Sequence, residues 1–194
     1  IPGLISVAIW RGMFNANLGV IPNTLEAIGI QAPPFFTDPG WAKFGILLIN
    51  LWLGYPYFML VCSGALAAIP ADMYEAADVD GANWWDKFRG LTFPMLLVAV
   101  GPLLIASFTY NFNNFVIIEA YAEGGPPFLN AATTPAGHTD ILISYAFRLA
   151  FDSGQGKDYG LASAITIVIF LMVAAVTLLQ FRLTRSWEET SENV

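Results

Sequence analysis

Glu75-Ala76-Ala77-Asp78-Val79-Asp80-Gly81-Ala82-Asn83-Trp84-Trp85-Asp86-Lys87-Phe88, with its continuation to Pro94, is the most charged part of an otherwise oily chain. On both sides of it the charges stop. Residues 44–69, 95–118 and 159–181 contain no Asp, Glu, Lys, Arg or His. Each window exceeds the roughly 20 residues that a helix needs to cross about 30 Å of hydrocarbon. A polar segment between two such windows lies outside the membrane and is open to a partner there.

The composition agrees. The 194 residues are 56% hydrophobic and 12% charged, against about 25% charged in an ordinary soluble domain. The sequence predicts an all-α integral membrane protein with about three full spans plus the end of a fourth. The expected order is the end of a helix over 1–10, a span over 42–69 and a loop over 70–94. A span over 95–118, a polar stretch over 119–158, a span over 159–181 and a tail over 182–194 follow. The run over 1–10 is too short to span and has neither a basic segment nor a cleavage site, so it is not a signal peptide. The expectation is a fragment that begins inside a transmembrane helix. A net charge of −7 leaves no basic stripe for nucleic acid. Cys62 stands alone inside an apolar window and reads as a small hydrophobe.

The 70–94 loop reads as two short helices. Pro70 suits a first turn, and Asp72 and Glu75 complement the positive end of the dipole. Gly81 is placed to end that helix in a left-handed cap. Asn83, with Asp86 three residues on, starts the second, and Pro94 opens the next span. Gly54 and Pro56 should kink the 42–69 span at a place facing protein or water. Arg11 to Lys43 reads as a loop rich in Pro, Gly and Asn. In the polar stretch, Ile141, Leu142, Tyr145 and Leu149 recur at helical spacing and predict a short amphipathic helix on the membrane surface. Lys and Arg divide four against four between the two sides, so the usual positive-inside bias decides nothing. Their density favours the 70–94 loop as cytoplasmic.

Two spans carry polar and aromatic residues on one face. At about 100° per residue, Asn50, Leu53, Gly54 and Tyr57 share a face, as do Ser107, Tyr110, Asn111 and Asn114. Uncharged polar groups at membrane depth face a bundle interior or a cavity, so one shared site near the midplane is expected. Asn amides both donate and accept, as sugar hydroxyls do. Tyr57 and Tyr110 can stack on sugar faces while keeping their hydroxyls bonded. No charge lies in either span, so a neutral polyol fits and an ion does not. The alternative use of such residues is to bond helices together.

The pattern Glu75-Ala76-Ala77-x2-Asp80-Gly81-Ala82-x5-Phe88-x2-Leu91-x-Phe93-Pro94 resembles the EAA loop of membrane subunits of ABC importers. Only Leu91, usually Ile, and Phe93, usually Leu, depart from it. That resemblance implies a type I importer transmembrane domain in part, with a cytoplasmic loop seated in a cleft of an ATP-hydrolysing subunit. Glu75, Ala76, Ala77, Asp80, Gly81, Ala82 and Phe88 would be the coupling residues. Ala76, Ala77 and Ala82 allow close approach, and Glu75, Asp78 and Asp80 can meet basic groups. The stretches Asn50 to Tyr57, Ser107 to Phe115 and Thr134 to Asp140 further resemble the larger membrane subunit of maltose/maltodextrin importers, over essentially the whole chain. This implies sugar contacts at Asn50, Leu53, Gly54, Tyr57, Ser107, Tyr110, Asn111 and Asn114. Tyr110 stands where a Phe is usual, which keeps stacking and can alter oligosaccharide preference. It also implies a bacterial inner membrane and four partners besides oligosaccharide and lipid: a second permease subunit, two ATPase subunits and an extracytoplasmic sugar-binding protein. The family's N-terminal helices and large extracytoplasmic insertion have no counterpart, so transport by this chain alone is not expected.

No Gly-x4-Gly-Lys-Ser/Thr phosphate loop is present, so ATP and Mg belong to the partner, and this chain is expected to be no enzyme and to bind no cofactor. The alternative readings are an ABC permease for another sugar or for glycerol phosphate, and a secondary transporter. A glycerol phosphate permease would want Lys or Arg among the cavity residues, and a secondary transporter an ionisable residue inside a span; the spans carry neither. Asp152-Ser153-Gly154-Gln155-Gly156-Lys157-Asp158 has the spacing of a calcium loop but lacks its downstream Glu, and reads as a turn. His138 has no second His or Cys near it, so no metal site is expected. Gly124-Gly125-Pro126 reads as an extracytoplasmic turn, and no catalytic constellation is present.

Overall fold

A computed structural model describes residues 2–128, 135–151 and 157–191, with side chains placed as far as Arg182. Among them the regular structure is helical, and the nearest approach to a strand is a single bridge between Pro127 and Gly137. The order is α1 (Gly3–Met13), α2 (Val20–Ala27), α3 (Pro39–Ala67), α4 (Ala71–Val79), α5 (Trp84–Lys87), a π-helical turn (Phe88–Thr92), α6 (Phe93–Phe112), α7 (Phe115–Ala122), α8 (Leu142–Phe151) and α9 (Tyr159–Ser191). Three stretches are long and apolar enough to cross a membrane: Pro39–Ala67, Trp84–Phe112 and Tyr159–Arg182. At most 17% of each apolar window is buried within the chain, so most of its hydrophobic surface is left for lipid or other helices.

Local chemistry sets these boundaries. Asp38 accepts from the amides of Gly40 and Trp41 at 2.8 and 2.9 Å and caps α3, with Pro39 in the first turn, where its missing N–H costs nothing. Asp158 caps α9 in the same way through Leu161. The predicted loop over 11–43 contains the end of α1, all of α2 and the start of α3. α3 runs through Pro56 with its helical assignment intact. α9 runs on through the predicted tail to Ser191.

Two expectations are corrected. The second helix of the 70–94 loop is not separate, and Pro94 opens nothing: the helix starts at Trp84 and continues to Phe112. Pro94 is tolerated because the π turn loosens the ladder before it, with the Phe93 N–H reaching back to the Phe88 carbonyl. That helix then stops at Phe112, short of the predicted 118. Asn114 takes φ −77° and ψ 72° at the start of α7, a cap position that Asn favours over a helix interior.

The chain falls into two compact units, one of residues 1–54 with 113–171 and one of 55–112 with 172–194. The core of the first unit gathers Val7, Phe14, Phe35, Ile49, Ile117 and Tyr121. α1 packs along α7, and the Phe14 ring lies 4.4 Å from Phe35. Gly45 admits this packing, because a Cβ there would collide with the Tyr121 phenol. The Tyr121 hydroxyl is buried and finds no hydrogen-bond partner among the described residues. Gly45→Ala should therefore cost about 1–3 kcal/mol through overpacking, read as a lower thermal midpoint in detergent. Tyr121→Phe, which removes only an unsatisfied hydroxyl, should be neutral or stabilising.

In the second unit, buried apolar residues are few. Ile69, Val100 and Ile105 are among them, and Thr109 meets Thr177 through their hydroxyls at 3.4 Å.

Candidate functional site

The Glu75–Pro94 stretch is a helical hairpin with both ends chemically closed. Gly81 sits at φ +76°, where a side chain would be strained. The amides of Gly81 and Ala82 return to the carbonyls of Asp78 and Ala77 at 3.1 and 2.9 Å, which completes a Schellman cap on α4. Asn83 accepts from the amides of Trp85 and Asp86, while the Asp86 carboxylate accepts from the Asn83 amide. This reciprocal capping box satisfies the free donors that open the next helix. Only two residues, Gly81 and Ala82, separate the caps of the two helices, too few to act as a slack linker.

Two side-chain contacts pin α4 back onto the helix that follows. Lys87 Nζ meets Asp78 Oδ1 at 2.6 Å, and the Tyr74 and Thr92 hydroxyls lie 2.9 Å apart. Asp78, expected to face a partner, is thus paired within the hairpin. On the outward side Glu75, Ala76, Val79 and Asp80 are exposed, as is Gly81, while Ala77 and Ala82 are half-buried. Val79 is 89% exposed and Trp84 71% exposed. Phe88 is half-buried, its ring stacked on Trp84 at 5.6 Å. The hairpin therefore presents acidic groups beside bare apolar surface, the pattern of a surface that another protein covers.

The polar stripe residues divide between the units. Asn50, Leu53 and Gly54 lie on α3 in the first unit, half-buried. Tyr57, further along α3, belongs to the second unit and is 54% exposed. Ser107, Tyr110 and Asn111 share α6 in the second unit, with Tyr110 69% exposed. Asn111 donates its amide to the Ser107 carbonyl at 2.8 Å and to the Ser107 hydroxyl at 3.2 Å. Asn114 departs from the predicted stripe: it lies beyond the end of α6, at the start of α7 in the first unit.

A charge cluster in the first unit went unseen in the sequence. Arg148 on α8 meets Asp140 at 3.0 Å and Glu119 of α7 at 2.8 Å. Its side chain is 9% exposed and that of Asp140 is 4% exposed. Asp140 also accepts from the Gly137 amide and the Ser144 hydroxyl. α8 is the helix expected from Ile141, Leu142, Tyr145 and Leu149, and it buries Ser144, Ala146, Arg148 and Ala150 within the chain. The burial of Arg148 is electrostatic in origin: apolar periodicity ignores a cation held by two carboxylates. The spacing Asp140, Ser144, Arg148 was the available signal.

Gly124 and Gly137 complete this region. A Cβ on the first would strike Asp140, and one on the second would strike the Gly124 backbone. His138 is half-buried, its ring 4.3 Å from Phe128. Thr134 of the quoted motif, and residues 152–156 of the calcium-like turn, lie outside the described residues. Among the described residues no group of three or more His, Cys, Asp or Glu could hold a metal ion.

The chain is 48% identical over 185 residues to the maltose/maltodextrin transport system permease protein MalF of Vibrio vulnificus, covering 95% of this chain and 35% of that protein. It is 46% identical to the MalF of Salmonella typhimurium, covering 95% and 36%. It thus spans about a third of the length of the curated relatives it matches. Two crystal structures share the fold, each covering 96% of this chain and 61% of the other. One is a bacterial ABC transporter involved in the import of the acidic polysaccharide alginate, at 21% identity and a TM-score of 0.75. The other is the bacterial alginate ABC transporter in complex with an alginate pentasaccharide-bound periplasmic protein, at 22% and 0.78. The fold is that of a type I ABC importer transmembrane domain. Residues 4–189 match binding-protein-dependent transport system inner membrane component, and the chain belongs to that family of inner-membrane permeases.

Proposed function

We propose that this chain is part of the membrane path of an ATP-driven importer for maltodextrin-like oligosaccharides. The observation that carries the proposal is the capped hairpin Glu75–Pro94, pinned to a membrane-length helix and bare on its outer face. Such a piece moves as one body with its span, which is what a lever requires. The relatives named for maltose and maltodextrin supply the substrate class. The neutral chemistry of Asn50, Leu53, Gly54, Tyr57, Ser107, Tyr110, Asn111 and Asn114 is compatible with it.

On this reading the hairpin faces the cytoplasm and is gripped by an ATPase subunit that holds ATP and Mg. Glu75, Ala76 and Asp80 face that subunit, Gly81 and Ala82 fix the turn, and Phe88 braces Trp84 behind it. The complete importer adds a second permease subunit, a second ATPase subunit and an extracytoplasmic sugar-binding protein. Closure of the ATPase pair displaces the hairpin, and the attached spans alternate access to the sugar.

Two measurements test this. In the reconstituted full complex, maltose and maltodextrins should stimulate ATP hydrolysis several-fold over a panel of other sugars; equal rates across the panel would refute the substrate class. In a Cys62→Ser background, Ala76→Cys should crosslink to an ATPase subunit. An intact, hydrolysing complex that gives no such adduct with any crosslinker length would refute the lever.

A further inference from the structure

We propose that Tyr74 and Thr92 are positioning residues for energy coupling, a role that rests on the hairpin being the element the ATPase moves. Thr92 is the last residue of the π turn. Its Oγ1 donates to the Lys87 carbonyl five residues back at 3.4 Å, a bond that fits the wider turn. The Tyr74 and Thr92 hydroxyls also meet at 2.9 Å, where either can be the donor. Lys87 is then held at both ends, its carbonyl by Thr92 and its ammonium by Asp78.

Tyr74 and Asp78 are four residues apart, so they stand one turn apart on the same face of α4. A single attachment would leave α4 free to swivel; two attachments a turn apart remove that freedom. They do not contribute equally. The Lys87–Asp78 pair is open to solvent on the Asp78 side, which is 62% exposed against 22% for Lys87, so it is screened by salt. Tyr74 and Thr92 are half-buried, and their contact is insensitive to salt. The hydroxyl pair therefore sets the angle of α4, and the π turn is the joint whose width that pair fixes. Without it, part of each displacement is absorbed at the joint and does not reach the span.

The test compares sugar transported with ATP hydrolysed in proteoliposomes containing the complete importer. Tyr74→Phe and Thr92→Val should each lower that ratio about fivefold, the factor expected from one hydrogen bond, while hydrolysis persists. Thr92→Ser keeps the hydroxyl and should restore the ratio. Lys87→Gln should act weakly, and less at high salt. A wild-type ratio in both Tyr74→Phe and Thr92→Val would overturn the proposal. So would an equal drop in Thr92→Ser, which would point to packing of the methyl group. Because Tyr74→Phe removes one oxygen and keeps the ring, it preserves a folded complex for measurement if Thr92→Val assembles poorly. Failure of the functional reading is distinguishable: the unmutated importer would then show no maltodextrin-dependent hydrolysis at all.

Discussion

Arg148→Met should destabilise the chain by about 3–5 kcal/mol, the cost of removing one partner from a buried ion pair. The guanidinium sits between Asp140 and Glu119. Methionine fills a similar volume but leaves the buried Asp140 carboxylate without its cation, while Glu119, 33% exposed, keeps access to water. Asp140, at 4% side-chain exposure, cannot recover the loss from water. It also accepts from the Gly137 amide and the Ser144 hydroxyl, so a displaced carboxylate loosens the turn and the start of α8 together. For a chain of this size the thermal midpoint should fall by roughly 6–20 °C, at about 2–4 °C per kcal/mol. Arg148→Lys should fall part of the way, since an ammonium keeps the charge but not the planar fork that meets two carboxylates. Differential scanning of the detergent-purified protein reads all three. A midpoint for Arg148→Met within about 2 °C of the wild type would mean that the cluster contributes little.

The spans and the hairpin caps were legible in the sequence because each follows from local chemistry. Uncharged windows give the spans. Gly81 supplies the positive φ, and Asn83 with Asp86 supplies the reciprocal cap. What escaped depends on partners distant in sequence. Nothing in the spacing of Phe88 to Thr92 announces a π turn, and the contacts of the Thr92 hydroxyl at its end go to Lys87 and Tyr74, which both precede the turn. Pro94 therefore looked like a helix start although it lies inside one. Asn114 reads as part of a polar helical stripe, whereas it sits at the cap position that opens α7, a place Asn favours over a helix interior. The inward turn of Arg148 was hidden because one of its carboxylates, Glu119, lies 29 residues away. The candidate sugar-contacting residues fall on α3, on α6 and at the start of α7.

Asn111→Ala should reduce maltodextrin uptake by about one to two orders of magnitude while the complex assembles normally. Asn111 folds its amide nitrogen onto Ser107, through the carbonyl at 2.8 Å and the hydroxyl at 3.2 Å. That bonding fixes the side chain and, on the proposed function, leaves Oδ1 to accept from a sugar hydroxyl. Loss of such a bond, with the ligand hydroxyl left unpaired, costs about 1–3 kcal/mol, or about 5- to 150-fold in affinity. The Ser107 hydroxyl supplies only the longer of the two anchors, so Ser107→Ala should act more mildly: the Asn111 amide keeps the carbonyl. Asn111→Asp tests the electrostatics separately. Its carboxylate retains acceptors but loses the donor to Ser107, and charge at membrane depth costs about 2.5–3.5 kcal/mol. Asp should therefore be at least as damaging as Ala, despite its closer shape. The order of uptake expected is wild type, Ser107→Ala, Asn111→Ala, Asn111→Asp, measured with labelled maltodextrin at matched complex levels. Wild-type uptake by Asn111→Ala would remove α6 from the sugar path. Loss of assembly in Asn111→Ala but not in Ser107→Ala would instead assign the side chain to helix packing, the competing use of a polar residue at that depth.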